Sequence, residues 1–244
     1  MRARLDQLLV EKGLFESRER ARRAVMAGSV IVDGVPMDKP GTSVLDTAKL
    51  EVVGPKEPFV SRGGRKLAHA LDHFGIDPTG WTCLDVGAST GGFTDCLLQR
   101  GAERVYALDV GRGQLDYRLR NDSRVVTLEG INARYLESDA VPEPCQLIAV
   151  DVSFISLLKV VPALLPILPV GGYLLTLIKP QFEVGRELVG KGGIVRDESL
   201  RQQVIRQRGE ALASLGLALM GIVDSEVVGA KGNREALALF QKNG

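Results

Sequence analysis

Chemistry in this 244-residue chain is to be looked for where charged residues end apolar runs. Asp85 lies in Thr82-Cys83-Leu84-Asp85-Val86, Asp109 closes Val105–Asp109, and Asp151 closes Leu147–Asp151. Lys179 follows the run Tyr173–Ile178. A lysine at the mouth of a buried strand is costly unless it is paired. Asp151, on an adjacent strand end, is the expected partner. Between Val86 and Phe93 the chain reads Gly87-Ala88-Ser89-Thr90-Gly91-Gly92. Glycines at such a turn let a ligand lie against the backbone, because no Cβ intervenes. The helix expected to start near Phe93 offers unpaired N–H groups to the same ligand. The spacing does not fit the dinucleotide fingerprint G-x-G-x-x-G, since Ala88, Ser89 and Thr90 separate Gly87 from Gly91.

The elements that must position these residues alternate from Trp81 onward. Strands are expected at Cys83–Val86, Val105–Asp109, Val125–Leu128, Leu147–Asp151 and Tyr173–Ile178. Helices are expected near Phe93–Arg100, Gly113–Leu119, Ile155–Ile167 and Glu198–Leu215. Parallel strands need such crossovers, so the expected fold is an α/β, doubly wound open sheet. Its ligand crevice lies at the carboxyl ends of the strands. The last two runs, Leu217–Val228 and Ala236–Phe240, are expected as a terminal hairpin.

The pattern Asp85-x-Gly87-x-x-x-Gly91-Gly92-Phe93 resembles the first motif of S-adenosylmethionine (SAM) methyltransferases. The terminal antiparallel hairpin resembles the finish of the class I methyltransferase sheet, a Rossmann-like sheet of seven strands. The resemblance implies SAM as cofactor, with Asp85, Gly87, Ser89, Thr90, Gly91, Gly92 and Phe93 around it. A cofactor that bears an amino acid and no phosphate needs an acid near its ammonium group. Asp109 can accept the ribose hydroxyls, the role of an acid at that strand end in nucleotide folds. Asn132, after the third strand, can meet the adenine edge. Asp109 and Asn132 each also read as plain turn residues.

Residues 1–54 read as a separate α+β module. Arg4–Val10 is a short amphipathic helix, and Ser17 is a candidate N-cap for a second. Ser29–Val35 alternates into a hairpin with an Asp33-Gly34 turn. The order R-L-D-x-x-L, S-R-x-x-A, G-x-V-x-V-D-G resembles the S4 RNA-binding domain. That implies an RNA partner, met by Arg4, Arg18, Arg22 and Arg23. Residues 55–60, with Pro55 and Pro58, read as a linker, and 61–244 as the methyltransferase domain.

Five stretches together resemble the TlyA-type (hemolysin-A-like) family, which joins an S4 domain to an FtsJ-like methyltransferase. They are Ser61-Arg62-Gly63-Gly64-x-Lys66-Leu67, the Asp85–Phe93 loop, Asp151-Val152-Ser153-Phe154-Ile155-Ser156, Lys179-Pro180-Gln181-Phe182-Glu183 and Gly232-Asn233-x-Glu235. The resemblance implies methyl transfer to ribose 2′-oxygens of ribosomal RNA, at cytidine, in the cytoplasm. It places a catalytic K-D-K-E set on Lys66, Asp151, Lys179 and Glu235, with Arg62 among the RNA contacts. Lysine has an unperturbed pKa of roughly 10.4. Carboxylates would raise it, and burial, Lys66 and the SAM cation would lower it. Lys179 therefore reads either as a general base or as a cation that steers the hydroxyl. Gln181–Asp197 is expected to be a loop over the site, with Arg186 and Lys191 reaching phosphate. The competing classes are an inactive ribosome-associated RNA-binding assembly factor and, from the hemolysin name of the family, a membrane-lytic protein, which the sequence does not support.

Composition limits the remaining options. The chain is 45% apolar and 25% charged with a net charge of +1, which argues against a uniformly basic sleeve. It has no apolar run of about 18 residues, so no membrane span is expected, and no signal-peptide core follows Met1. Cys83, Cys96 and Cys145 are too unevenly spaced for a disulfide framework or a zinc site, as in a reducing cytoplasm. Pro144-Cys145 precedes the fourth strand, at the wrong end for a nucleophile. His69 and His73 stand at i,i+4 without a third ligand, so no metal is expected. Oligomeric state is not legible.

Overall fold

The computed structural model describes residues 2–26, 28–53, 58–185, 188–190, 192–229 and 232–244. The chain divides into two units, Met1–Lys56 and Glu57–Gly244.

The first unit runs β1 (Arg2–Arg4), α1 (Leu5–Glu11), α2 (Arg18–Met26), β2 (Val30–Val32), β3 (Val35–Met37), β4 (Ser43–Leu45) and β5 (Leu50–Val52). β2 lies between β3 and β5, and β1 pairs antiparallel with β4. Asp33 and Gly34 both have positive φ, +49° and +82°, the backbone of a tight two-residue hairpin turn. Leu5, Leu8 and Leu9 of α1 and Ala21 and Val25 of α2 close over Val30 and Val32. Ser17 Oγ accepts the Arg20 N–H at 3.3 Å. Arg4 belongs to β1 and not to the helix expected there. Strands of three residues, as β1 and β4 are, carry too little alternation to be read in advance.

The second unit runs α3 (Gly63–Phe74), β6 (Thr82–Val86), α4 (Gly92–Gln99), β7 (Arg104–Asp109), α5 (Tyr117–Arg120), β8 (Val125–Glu129), β9 (Leu147–Val150), α6 (Val161–Leu164), β10 (Tyr173–Ile178), α7 (Pro180–Glu183), α8 (Glu198–Ala213), β11 (Leu217–Asp224) and β12 (Ala236–Lys242). Its seven-stranded sheet has the order β11-β12-β10-β9-β6-β7-β8. β6 to β10 are parallel, and β12 is antiparallel to β10 and β11. The doubly wound α/β class and its terminal antiparallel hairpin are thus those expected.

Side chains alternate across the sheet with period 2. Cys83, Val105, Leu147, Leu175 and Leu237 face α3 and α4, packing on Leu67, Leu71, Cys96 and Leu97. Leu84, Leu108, Ile148, Leu174 and Phe240 face α6 and α8. The chain reverses its direction of travel between β6 and β9, and the crevice of such sheets opens there. No helix among the described residues is long and apolar enough to cross a membrane.

Several element bounds differ from expectation. The helix expected at Ile155–Ile167 is a 3-10 turn, Leu157–Lys159, followed by the four residues of α6. Pro162 stands in the first turn of α6, where its missing N–H costs nothing. The helix expected from Gly113 shrinks to α5, capped by Asp116, which accepts the Arg118 N–H at 3.0 Å. β9 ends at Val150, one residue before Asp151. Of the stretch read as linker, residues 55–57 lie outside the described residues. Pro58 O accepts from Gln99 Nε2 at 2.9 Å, and the Val60 N–H donates to Asp95 at 2.8 Å.

Candidate active site

The loop after β6 is built by close backbone approach. A Cβ on Gly87 would come 2.4 Å from Asp151 O, so only glycine fits between the two strand ends. A Cβ on Gly92 would meet Ser61 Oγ at 2.2 Å and Gly64 N at 2.9 Å. The N-terminal turns of α3 and α4 therefore lie backbone to backbone, which brings Lys66 to the crevice.

A cavity of about 400 Å³ opens there, within the range of small-molecule sites. Asp85, Gly87, Ser89, Thr90, Gly92 and Phe93 line it, as do Arg62, Lys66 and Asp151. Asp85 is fully buried. Its Oδ2 accepts the Thr94 N–H at 2.9 Å and the Thr94 hydroxyl at 2.7 Å. Its Oδ1 is buried with no hydrogen-bond partner among the described residues. Burial pushes the Asp85 carboxyl up to about 7, while the two Thr94 bonds pull the other way. A buried acceptor left short in a ligand-sized cavity suits an ammonium donor. Together with the glycine cradle it fits the amino-acid end of SAM.

Three expected cofactor residues lie outside that lining. Gly91 has φ +94° and packs on Leu115 and Leu119. Asp109 accepts the Ser89 N–H at 2.8 Å and the Gly111 N–H at 2.7 Å, one on each oxygen. It holds the loop and keeps a lone pair on each oxygen for a hydroxyl. Asn132 is exposed and caps the 3-10 turn Ala133–Tyr135, accepting the Arg134 N–H at 3.0 Å.

The four residues of the K-D-K-E set form two close pairs. Lys179 Nζ lies 2.5 Å from Asp151 Oδ1. Lys66 Nζ lies 2.5 Å from Glu235 Oε2, across 169 residues of sequence. The register puts them on one edge: Ile178 pairs with Ala236, so Lys179 and Glu235 follow and precede partnered residues. Three residues beside them carried no periodic signal in the sequence. Ser153 Oγ accepts from Lys179 Nζ at 2.9 Å. Phe154 is 89% exposed with φ +65°. Glu183, in α7, ties back to Ser156. A short aromatic-containing loop directly after a strand-end acid was the one sequence clue to the first two.

The loop beyond α7 is partly anchored. Asn233 donates to Gly193 O at 2.8 Å and accepts the Val195 N–H at 3.2 Å. Arg186 and Lys191, expected to reach phosphate, lie outside the described residues. His69 Nδ1 lies 3.0 Å from Glu226, and His69 and His73 rings are 6.2 Å apart. Cys145 is buried before β9, and burial pushes its thiol up to about 12, far from a reactive thiolate.

In the first unit the basic residues divide. Arg4 and Arg18 both bind the buried Asp6, with Nε distances of 3.0 and 2.9 Å. Arg23 pairs with the exposed Glu19 one turn away. Arg22 is exposed, beside Arg18, Arg23 and Met26 around an open depression.

The sequence and fold compare closely with known proteins. The FtsJ-like methyltransferase family matches residues 59–242, and the S4 domain family matches residues 3–48. The 16S/23S rRNA (cytidine-2′-O)-methyltransferase TlyA of Mycobacterium tuberculosis is 47% identical over 235 residues, 96% of this chain and 88% of the relative. Hemolysin A of Brachyspira hyodysenteriae is 44% identical, covering 97% of this chain and 99% of its own. A solved Streptococcus thermophilus structure assigned as a hemolysin superposes with a TM-score of 0.79 at 44% identity, over 99% of this chain and 89% of that one. The chain therefore belongs to the FtsJ-like methyltransferases, in the TlyA-type group that joins an S4 domain to that fold.

Proposed function

We propose that the chain methylates the ribose 2′-hydroxyl of cytidine in ribosomal RNA, in the cytoplasm, with Lys66, Asp151, Lys179 and Glu235 as its working residues. The observation that carries the reading is the two lysine–carboxylate pairs at one sheet edge, beside a glycine-lined cavity with an unsatisfied acid. A ribose hydroxyl is a poor nucleophile near neutral pH. The protein must hold its oxygen in line and remove or share one proton. SAM, when bound, supplies a methyl group on a sulfonium that leaves as a neutral thioether. Asp85 receives the cofactor's ammonium, and Asp109 its ribose hydroxyls. Lys179 faces the substrate hydroxyl, oriented by Asp151. Lys66 and Glu235 hold the ribose from the other side. Phe154 presents a flat apolar face beside Asp151, which suits a nucleobase. The S4 unit supplies the RNA contacts, with the exposed Arg22 among its available cations. The named activity of the Mycobacterium tuberculosis relative supports cytidine and the ribosome as the target.

The test is methyl transfer to ribosomal subunits lacking the modification, followed by nucleoside digestion. A 2′-O-methylcytidine, seen as an alkali-resistant linkage, is expected. Lys179→Ala should lower the rate by at least about 10²-fold, the lower end of a general base's contribution, with SAM and RNA binding little changed. Lys179→Arg keeps its proton, so it restores nothing to a base and part of the rate to a steering cation. A methylated base, or Lys179→Ala at full rate, would overturn the assignment.

A further inference from the structure

Lys179 has a second partner besides Asp151. Its Nζ donates to Ser153 Oγ at 2.9 Å, and Asp151 Oδ1 lies 2.5 Å away. A lysine amine has tetrahedral geometry at nitrogen. The Ser153 bond assigns one of its directions, Asp151 Oδ1 draws the amine by charge without hydrogen-bond geometry, and a third direction stays open for a group beside Asp151. With Asp151 alone, the amine turns about its Cε–Nζ bond and the remaining direction wanders. The open direction is aimed in the same way whether it carries a lone pair or an N–H.

Ser153 sits on an irregular segment, so something must hold it. Its neighbour Phe154 has φ +65°, a backbone region costly for a side-chain-bearing residue unless the surroundings impose it. Glu183 holds the same segment two and three residues further on. Its side chain is 2% exposed, and it accepts the Ser156 hydroxyl at 2.7 Å and the Leu157 N–H at 2.8 Å. Arg208 of α8 approaches the same carboxylate to 2.8 Å. Phe154 also packs on Phe182, with ring centroids 4.9 Å apart. Glu183 lies four residues after Lys179, on α7. The segment carrying Ser153 is thereby closed into a ring with the segment carrying Lys179.

We propose that Ser153 is a positioning residue that aims the Lys179 amine, and that Glu183 keeps Ser153 in place. The inference rests on the reading of Lys179 given above. Ser153→Ala should lower kcat about 10-fold, the scale of a modest misalignment, with the KM for RNA and the Kd for SAM within about twofold. Ser153→Thr retains the hydroxyl and, because Ser153 is exposed, has room for its methyl group. It should restore kcat to within about threefold of the parent. Glu183→Gln preserves size but not charge and should show the same kcat-selective loss. Combined with Ser153→Ala it should add less than about twofold, since both act through one contact. Thermal melts accompany each variant, and if Glu183→Gln unfolds early, the two Ser153 variants decide alone. Ser153→Ala at full rate beside a slow Lys179→Ala would overturn this inference and leave the reading of Lys179 standing. So would failure of Ser153→Thr to restore kcat, a matching loss of SAM or RNA affinity, or losses in a folded double variant that multiply. Lys179→Ala at full rate would remove the reading and this inference together.

Discussion

Asp6 in the first unit and Asp85 in the second are both shut off from solvent, and their surroundings differ. Arg4 spans both oxygens of Asp6, and Arg18 adds a second guanidinium. The Arg4 hydrogen bonds, with Arg18 behind them, hold the Asp6 carboxyl below its ordinary value against the effect of burial. Among the described residues Asp85 has only Thr94, on one oxygen, and burial drives its carboxyl up to about 7. A buried acid that organises a fold has its acceptors filled, because unfilled ones cost the full desolvation penalty. One left short in a cavity is waiting for a donor from outside the chain. The comparison also changes the reading of Arg4 and Arg18. They shield Asp6 first, and only their exposed halves remain for phosphate.

Cofactor binding separates the two acids most strongly. Asp85→Asn should weaken SAM by about 1.5–3 kcal/mol, the worth of a hydrogen bond to a charged group. Asp6→Asn should leave SAM binding unchanged and reduce hydrogen-exchange protection in α1. Equal SAM affinity for Asp85→Asn and the parent, measured by calorimetry, would show that Asp85 is structural. Asp109→Ala should weaken SAM by about 1–2 kcal/mol, since both a direct acceptor and the anchor of Ser89 are lost. An unchanged affinity would make Asp109 a turn residue only.

The two acids should also give opposite pH dependences of stability in the free protein. The folded Asp85 carboxyl, near 7, keeps a proton that the unfolded chain releases near 4. The folded state therefore binds more protons between about pH 4 and 7, and Asp85 lowers stability as pH rises through that window. Asp85→Asn should gain on the parent across it and hold a constant margin above. Asp6, with its folded value depressed, stabilises above the ordinary carboxylate range and loses that contribution as pH falls below it. Asp6→Asn should therefore close on the parent as the solution is acidified. Denaturant unfolding at a series of pH values checks both signs, and parallel curves for Asp85→Asn and the parent would refute the assignment of its proton.

The smallest expected effect lies on the S4 surface. Arg22→Ala should flatten the salt dependence of RNA binding by up to about one log–log unit, with no loss of stability. Arg18→Ala should flatten it comparably and destabilise α1 as well, because Asp6 loses a partner. If Arg22→Ala leaves the salt slope unaltered, the RNA face lies elsewhere.

What could be read in advance follows the range of each interaction. The strands of the large sheet are runs whose burial imposes a local pattern, and the glycine loop is a backbone requirement written into seven consecutive residues, Val86–Gly92. Lys179 and Asp151 were legible as a pair because parallel neighbours bring successive strand ends together and a lysine there demands an acid. Lys66 and Glu235 were legible only through family resemblance, since no local pattern joins residues 169 apart. Ser153 and Glu183 stood inside family-like stretches, but their contacts with Lys179 and Ser156 were not legible. Their partners are chosen by an irregular segment whose path depends on Arg208 and Phe182.

The order of elements, the glycine cradle, the strand-end acids and the two-part organisation follow from short stretches of chain, because propensity, periodicity and turn chemistry act over a few residues. Which buried oxygens are filled depends on long-range packing. Asp6 and Asp85 are the same residue type in similarly apolar company, yet Arg18 reaches one across twelve positions while nothing reaches Oδ1 of the other among the described residues. Saturation of a buried charge depends on every group that folding brings within about 3 Å of it, and that set has no local signature in the chain.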